Sequence, residues 1–175
     1  MSDTALRDLI YGKGAHVNPV ACVEDISAEL ASRRFAGYPH SIWQIVLHMN
    51  YWMEWESSKI AGQNPVLPEH VIESWPAHAE PADESQWAAA RSQWQVARQG
   101  LVDDLAGLAS LADSDSATLD RTVSDVDPQK RDSRPSTVRA LLWMIAVHNS
   151  YHAGQIALLR RQAGAWPPER GGFTW

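Results

Sequence analysis

Apolar residues recur at steps of three and four along most of the chain, the period of helices that bury one side. The clearest run is Thr137–Gly164, where Val138, Leu141, Ile145, His148, His152, Gln155 and Leu159 form one seam. A second run, between Ser41 and Gly62, carries Ile45, His48, Trp52 and Trp55 on one side. In a third, Trp87, Trp94, Leu101 and Leu108 stand one heptad apart with Ala90 and Ala97 between them. Small residues beside tryptophans suit close, interdigitated packing. Nearer the N-terminus, Leu6, Leu9 and Ile10 suggest a short helix within Asp3–Tyr11. Val20, Val23, Ile26 and Leu30 then predict a first main helix from about Pro19 to Arg34. Nothing alternates with period two over a useful length, so no strand is predicted.

Polar punctuation bounds these runs. Asn18-Pro19 reads as an N-cap followed by proline at the first helical position. Ser41 and Gln44 have capping-box spacing, and Asp83 with Gln86 repeats the pattern. Gly164 and Pro167-Pro168 end the last helix. The stretch from Gln63 to Ala82 holds Pro65, Pro68, Pro76 and Pro81. It is too long for a tight turn and predicts an irregular crossover. Asp113–Arg134 reads as a second long polar loop, and the aromatic tail ERGGFTW is expected to lie back on the body. Four amphipathic helices with two long connections predict an all-α fold, a four-helix bundle with a crossover, in one domain over residues 1–175.

Composition narrows the partners. At 175 residues the chain can bury a sizeable core, and it is 45% hydrophobic and 21% charged. Nine tryptophans point to an aromatic-rich core or an aromatic-lined pocket. A net charge of −6 argues against nucleic acid and against an anionic membrane surface. The single cysteine, Cys22, excludes an internal disulfide and suits a reducing compartment. It lies among apolar residues, where nothing marks an activated thiol. Neither a signal peptide nor a membrane-spanning run is read, so the cytoplasm is the expected location.

Three histidines sit in predicted seams: His48 in one helix, His148 and His152 one turn apart in another. Residues at i and i+4 lie on one face, about 5–6 Å apart at Cβ. A buried imidazole costs free energy unless its nitrogens are paired. Each can find a separate partner in a metal-free core, or all three can share a divalent ion. His16, His40, His70 and His78 fall in loops or at helix ends and are expected to be solvent-exposed.

The segment PHSIWQIVLHMNYWMEWE, followed some 100 residues later by TVRALLWMIAVHNSYHAGQIALLRRQAGAWPP, resembles the DinB/YfiT-like family of metal-dependent enzymes. HSIW…LxH, H-x-x-x-H-x-x-Q-I and the trailing GAWPP carry the resemblance together, over nearly the whole chain. It implies a helix bundle with a long crossover, a three-histidine metal site and frequent dimerisation. By matching motif, the implied ligands are His48, His148 and His152. Zinc, nickel and iron(II) all accept imidazole, and the sequence does not choose among them.

An ion with three neutral ligands keeps its charge and an open position. It can activate water for hydrolysis, or a low-molecular-weight thiol for transfer. Relatives of this family include bacillithiol S-transferases and mycothiol-dependent maleylpyruvate isomerases, so a small-molecule substrate and a thiol cosubstrate are implied. The alternative is a non-catalytic, stress-related metal-binding bundle. No catalytic residue is assigned. Around the ligands, Gln155 is a candidate to orient one of them, Asn149 is a neighbour, and Tyr51 and Trp55 are candidate pocket walls. Gln44 shares the face of His48, but the capping box claims it. Glu54 and Glu56 read as ordinary surface glutamates.

Overall fold

The computed structural model describes residues 4–75, 77, 81, 83–123 and 135–171. His78, Pro76, the stretch 124–134 of the second long loop and the terminal Phe173 and Trp175 lie outside the described residues. Helices follow in the order α1 (Thr4–Ile10), α2 (Ala21–Glu24), α3 (Ala28–Ser32), α4 (Ile42–Ile60), α5 (Glu84–Ala112), α6 (Ser116–Leu119) and α7 (Val138–Gln162). A single 3₁₀ turn, Val71–Ser74, interrupts the crossover between α4 and α5.

The helix ends obey the expected capping chemistry. The Ser41 hydroxyl accepts from the Gln44 backbone N–H and the Gln44 side chain accepts from the Ser41 N–H, both at 3.3 Å. Asp83 accepts from the Gln86 N–H at 3.0 Å and starts α5. The Thr137 hydroxyl starts α7 by accepting from Ala140. Each contact satisfies an N–H that the first turn would otherwise leave orphaned. At the other end of α7, Gly164 takes a φ of +73°, the left-handed turn that suits glycine.

Long α4 packs along both α5 and α7, and short α1 closes the opposite side between α5 and α7. The helical-bundle class holds, but the expected long helix over Pro19–Arg34 does not form. Asn18 accepts from the Val20 N–H at 2.8 Å in the turn before α2, but the N-cap of that helix is Val20, and Pro19 lies ahead of it rather than at its first position. α2 stops at Glu24, and Ser27 caps a new helix by accepting from Leu30. Asp25 at the break is taken out of helical register because its carboxylate grips Arg160 of α7, at 2.6 and 2.9 Å.

The burial of α4 also differs from its expected seam. Ile42, Ile45, Val46, Met49, Met53 and Ile60 are buried, while Trp52 and Trp55 are half-buried at the flank. Apolar residues surround this helix because it has two long neighbours, so one stripe cannot describe it. Along α5, Ala90, Trp94, Ala97, Leu101 and Leu108 are buried as expected, and Trp94 donates to the Ile26 carbonyl at 2.7 Å. One feature absent from the helical reading is a two-residue antiparallel pair, Thr122 with Thr137 and Val123 with Ser136. Two residues are too few to leave a period-two signal. The pair fastens the chain just ahead of α7, and the Val138 N–H donates to the Arg121 carbonyl at 3.1 Å.

The described part of the tail lies against the end of α2, while the aromatics expected to lie back on the body are outside the described residues. The Glu169 N–H donates to Asp25, and Arg170 pairs with Glu24. Among the described residues, no helix is long and apolar enough to cross a membrane.

Arg160, only 2% exposed, also donates to the carbonyls of Cys22 and Ala165. A buried charge that loses its counter-ion costs about 3–5 kcal/mol. Asp25→Ala is therefore expected to lower unfolding free energy by about 3 kcal/mol in urea titrations. Arg139→Ala, which breaks an exposed pair with Asp120, is expected to cost less than about 1 kcal/mol.

Candidate metal centre

Three imidazoles from two helices meet in the bundle interior. His148 and His152 project from one side of α7, a turn apart, and His48 faces them from the middle of α4. The Nε2 atoms of His48 and His148 are 3.2 Å apart, and those of His148 and His152 are 3.1 Å apart. One ligand atom from each lies within 4.8 Å of the other two. His48 and His152 are buried, and His148 is half-buried, leaving one edge of the cluster open.

The other nitrogen of each ring faces an oxygen. His48 Nδ1 lies 2.8 Å from the Ser74 carbonyl, which can only accept, so Nδ1 carries the proton and Nε2 the lone pair. His152 Nδ1 lies 2.7 Å from Gln155 Oε1, and the Gln155 amide N–H donates in turn to the Tyr151 hydroxyl at 3.1 Å. His148 Nδ1 has Asn149 Oδ1 at 3.3 Å. Protons on the three Nδ1 atoms leave three Nε2 lone pairs converging on one point, which is repulsive unless a cation stands there. Tetrahedral zinc, with bonds of about 2.0–2.1 Å, sets its ligand nitrogens about 3.3 Å apart. The spacing and the donor chemistry both fit a divalent ion.

Burial keeps these rings neutral. Loss of solvation pushes His48 and His152 down to about 4 and also lowers His148. Neutral imidazole is the form that binds a metal.

Trp75 covers the cluster from the crossover. Its indole stacks on His48 at 3.8 Å between ring centroids, with 7° between the planes. His40 stacks on the other indole face at 3.7 Å and 7°. Trp52 stands edge-on to His48 at 6.4 Å. Trp52 shares the predicted seam of His48, whereas Ser74 and Trp75 are not singled out by periodicity. Ser74 contributes through its backbone, and Trp75 lies in a proline-rich stretch without a repeat.

Other sequence candidates fall where the packing puts them. Gln155 and Asn149 face the Nδ1 atoms of His152 and His148 as described, and the Asn149 amide nitrogen is buried without a partner. Tyr51 lies beside Trp52 and lines a separate depression of about 470 Å³ between α4 and α5, together with Trp43, Asn50 and Glu54. Trp55 donates from its indole N–H to the Val66 carbonyl at 3.2 Å, pinning the start of the crossover. Glu56 is buried, not a surface glutamate, because α4 has neighbours on that side too. His40 and His16 are likewise half-buried and not solvent-exposed. The stack on Trp75 covers His40, while His16 is held by the Ser150 hydroxyl at 2.7 Å and the Val17 carbonyl at 2.8 Å. His70 is exposed as expected. Cys22 is buried and its thiol is pushed up to about 12 by burial, so it stays inert.

In chelator-treated protein, the depressed histidines give a definite pH dependence. The unfolded chain takes up protons near the ordinary value of 6.5, whereas folded His48 and His152 resist until about 4. Folding stability is therefore expected to be full above pH 6.5 and to fall as pH drops from 6.5 toward 4. Urea midpoints measured across that range check this, and the fall should be shallower in His48→Gln/His152→Gln.

The DinB family model matches residues 1–172 of the chain. No curated protein and no solved structure matches it. Length, helical architecture and the histidine constellation agree with that match, and the chain belongs to the DinB family.

Proposed function

We propose that this protein is a metal-dependent enzyme. In this reading His48, His148 and His152 hold one divalent ion, and a small-molecule substrate is turned over by hydrolysis or by transfer of a low-molecular-weight thiol. The observation that carries it is the convergence of three Nε2 lone pairs, with each Nδ1 facing an oxygen acceptor. Zinc, nickel and iron(II) are the ions this nitrogen set suits. When bound, such an ion supplies a Lewis acid that makes a nucleophile of water or thiol near neutral pH.

The chain's own residues supply the rest. Ser74 and Gln155 fix which nitrogen of His48 and His152 faces the site and hold each ring's orientation. Trp75 and Trp52 shield the His48 side from water, which strengthens electrostatic interactions within. The half-buried edge at His148 is the side on which a substrate can enter. Assembly as a homodimer and a cytoplasmic location belong to the same reading.

Metal analysis of the purified protein is expected to find about one equivalent of divalent ion per chain, and almost none in His148→Ala/His152→Ala. Equal content in both would defeat the metal reading. Loaded protein is then offered ester and amide substrates, and separately a panel of electrophiles with and without a small thiol. Consumption of thiol and electrophile together identifies transfer, and thiol-independent cleavage identifies hydrolysis. A bound ion with no turnover in either assay would favour the non-catalytic metal-binding module.

A further inference from the structure

The depression of about 470 Å³ between α4 and α5 holds none of the clustered histidines, and its construction is not that of a packing defect. Trp43, Leu47, Tyr51 and Val96 give it apolar sides, with Val96 at the rim, 72% exposed. Asn50 of α4 and Gly100 of α5 meet between the two helices. The Asn50 amide nitrogen donates to the Ala97 carbonyl at 2.8 Å, and a Cβ at Gly100 would come within 2.9 Å of that nitrogen. Glycine at 100 thus makes the room that the amide occupies. A glycine inside a helix and a buried amide both cost stability. Yet the Asn50 oxygen, in a residue only 8% exposed, has no hydrogen-bond partner. A buried acceptor left open is uncommon in native proteins and calls for a donor from elsewhere.

The charge beside that acceptor has one sign. Glu54, one turn past Asn50 on α4, lines the depression, and among the described residues no lysine, arginine or histidine does. Asp104 stands one turn past Gly100 on α5. Burial, together with the charges of Glu54 and Asp103, pushes its carboxyl up to about 6. Its Oδ2 is buried and, like the Asn50 oxygen, has no partner. Open oxygen acceptors and two carboxyl groups therefore stand next to apolar and aromatic walls. An aliphatic ammonium answers each of these features. Its N–H groups donate to the oxygens, and its charge offsets the carboxylates. Its carbon chain lies against Leu47 and Val96, and aromatic faces attract cations. An anion would be repelled, and a neutral alcohol would leave the carboxylates uncompensated.

We propose that the depression between α4 and α5 is a binding site for a small aliphatic primary amine in its ammonium form, with Asn50, Glu54 and Asp104 as the acceptors. The site shares no residue with the histidine cluster, so it stands or falls independently of the metal reading. Asn50 supplies the neutral acceptor deep between the helices, and the two carboxyl groups select a cation over a neutral or anionic molecule of the same size.

Butylammonium is the probe, titrated into the isotope-labelled full chain and followed by backbone amide shifts. Saturable shifts are expected around residues 47–54 and 93–104. Butyrate and butanol are each expected to bind about tenfold more weakly or worse, the loss of one charge-assisted hydrogen bond. Glu54→Gln and Asp104→Asn are each expected to lower the affinity several-fold, and Val96→Trp to block entry at the rim. Asn50→Leu separates ligand binding from packing. It removes an unmet acceptor, so its urea midpoint is expected to match the wild type while its affinity for butylammonium falls several-fold. If that variant does not fold, the two carboxamide variants decide alone. Shifts that do not saturate, butanol binding as tightly as butylammonium, or an affinity indifferent to both carboxamide variants would overturn the proposal. Chelator-treated protein is expected to bind the amine equally well. Loss of binding on chelation would place the amine at the histidines instead and would also overturn it.

Discussion

Three imidazole lone pairs aimed at one point inside a helical bundle form the constraint around which this molecule is arranged. Unpaired, they would repel one another where water is scarce and electrostatic interactions are strong. Burial keeps the rings uncharged, which removes protonation near neutral pH as a way of relieving that repulsion. The arrangement is consistent with a cation at the centre, and the Nδ1 contacts orient each ring toward it. α4 and α7 must therefore keep a set separation and rotation, and the caps at Ser41 and Thr137 fix where each helix begins.

The crossover between α4 and α5 takes part in that arrangement. It supplies the Ser74 carbonyl that orients His48 and the Trp75 indole that lies between His48 and His40. Trp55 holds its beginning through the Val66 carbonyl. A long irregular connection thus packs against His48. Near the C-terminal end of α7, the buried Arg160–Asp25 pair fastens the N-terminal segment and the tail to the same helix. One helix consequently bears two of the three clustered histidines and the buried arginine of the ion pair.

Much of this was legible from residue spacing. The boundaries of α4, α5 and α7 followed from apolar period and capping residues, since both act within a turn or two of chain. The pair His148 and His152 followed from helical geometry alone. Gln155 was visible as a polar residue in an apolar seam. The short helices α2 and α3 were misread as one because Val20, Val23, Ile26 and Leu30 keep helical spacing across the break. What breaks them is the grip of Asp25 on Arg160, 135 residues away, which no local pattern records.

The sequence by itself determined the class of fold, the long helices and the three histidines, because hydrophobic period, caps and i, i+4 geometry are local properties. Only the tertiary structure decided that His48 reaches the other two, that Ser74 and Trp75 join them from a loop, and that Tyr51 and Trp55 look elsewhere. Those outcomes depend on how helices rotate against one another and on where an aperiodic chain is pinned. Both are set by contacts between residues far apart along the chain.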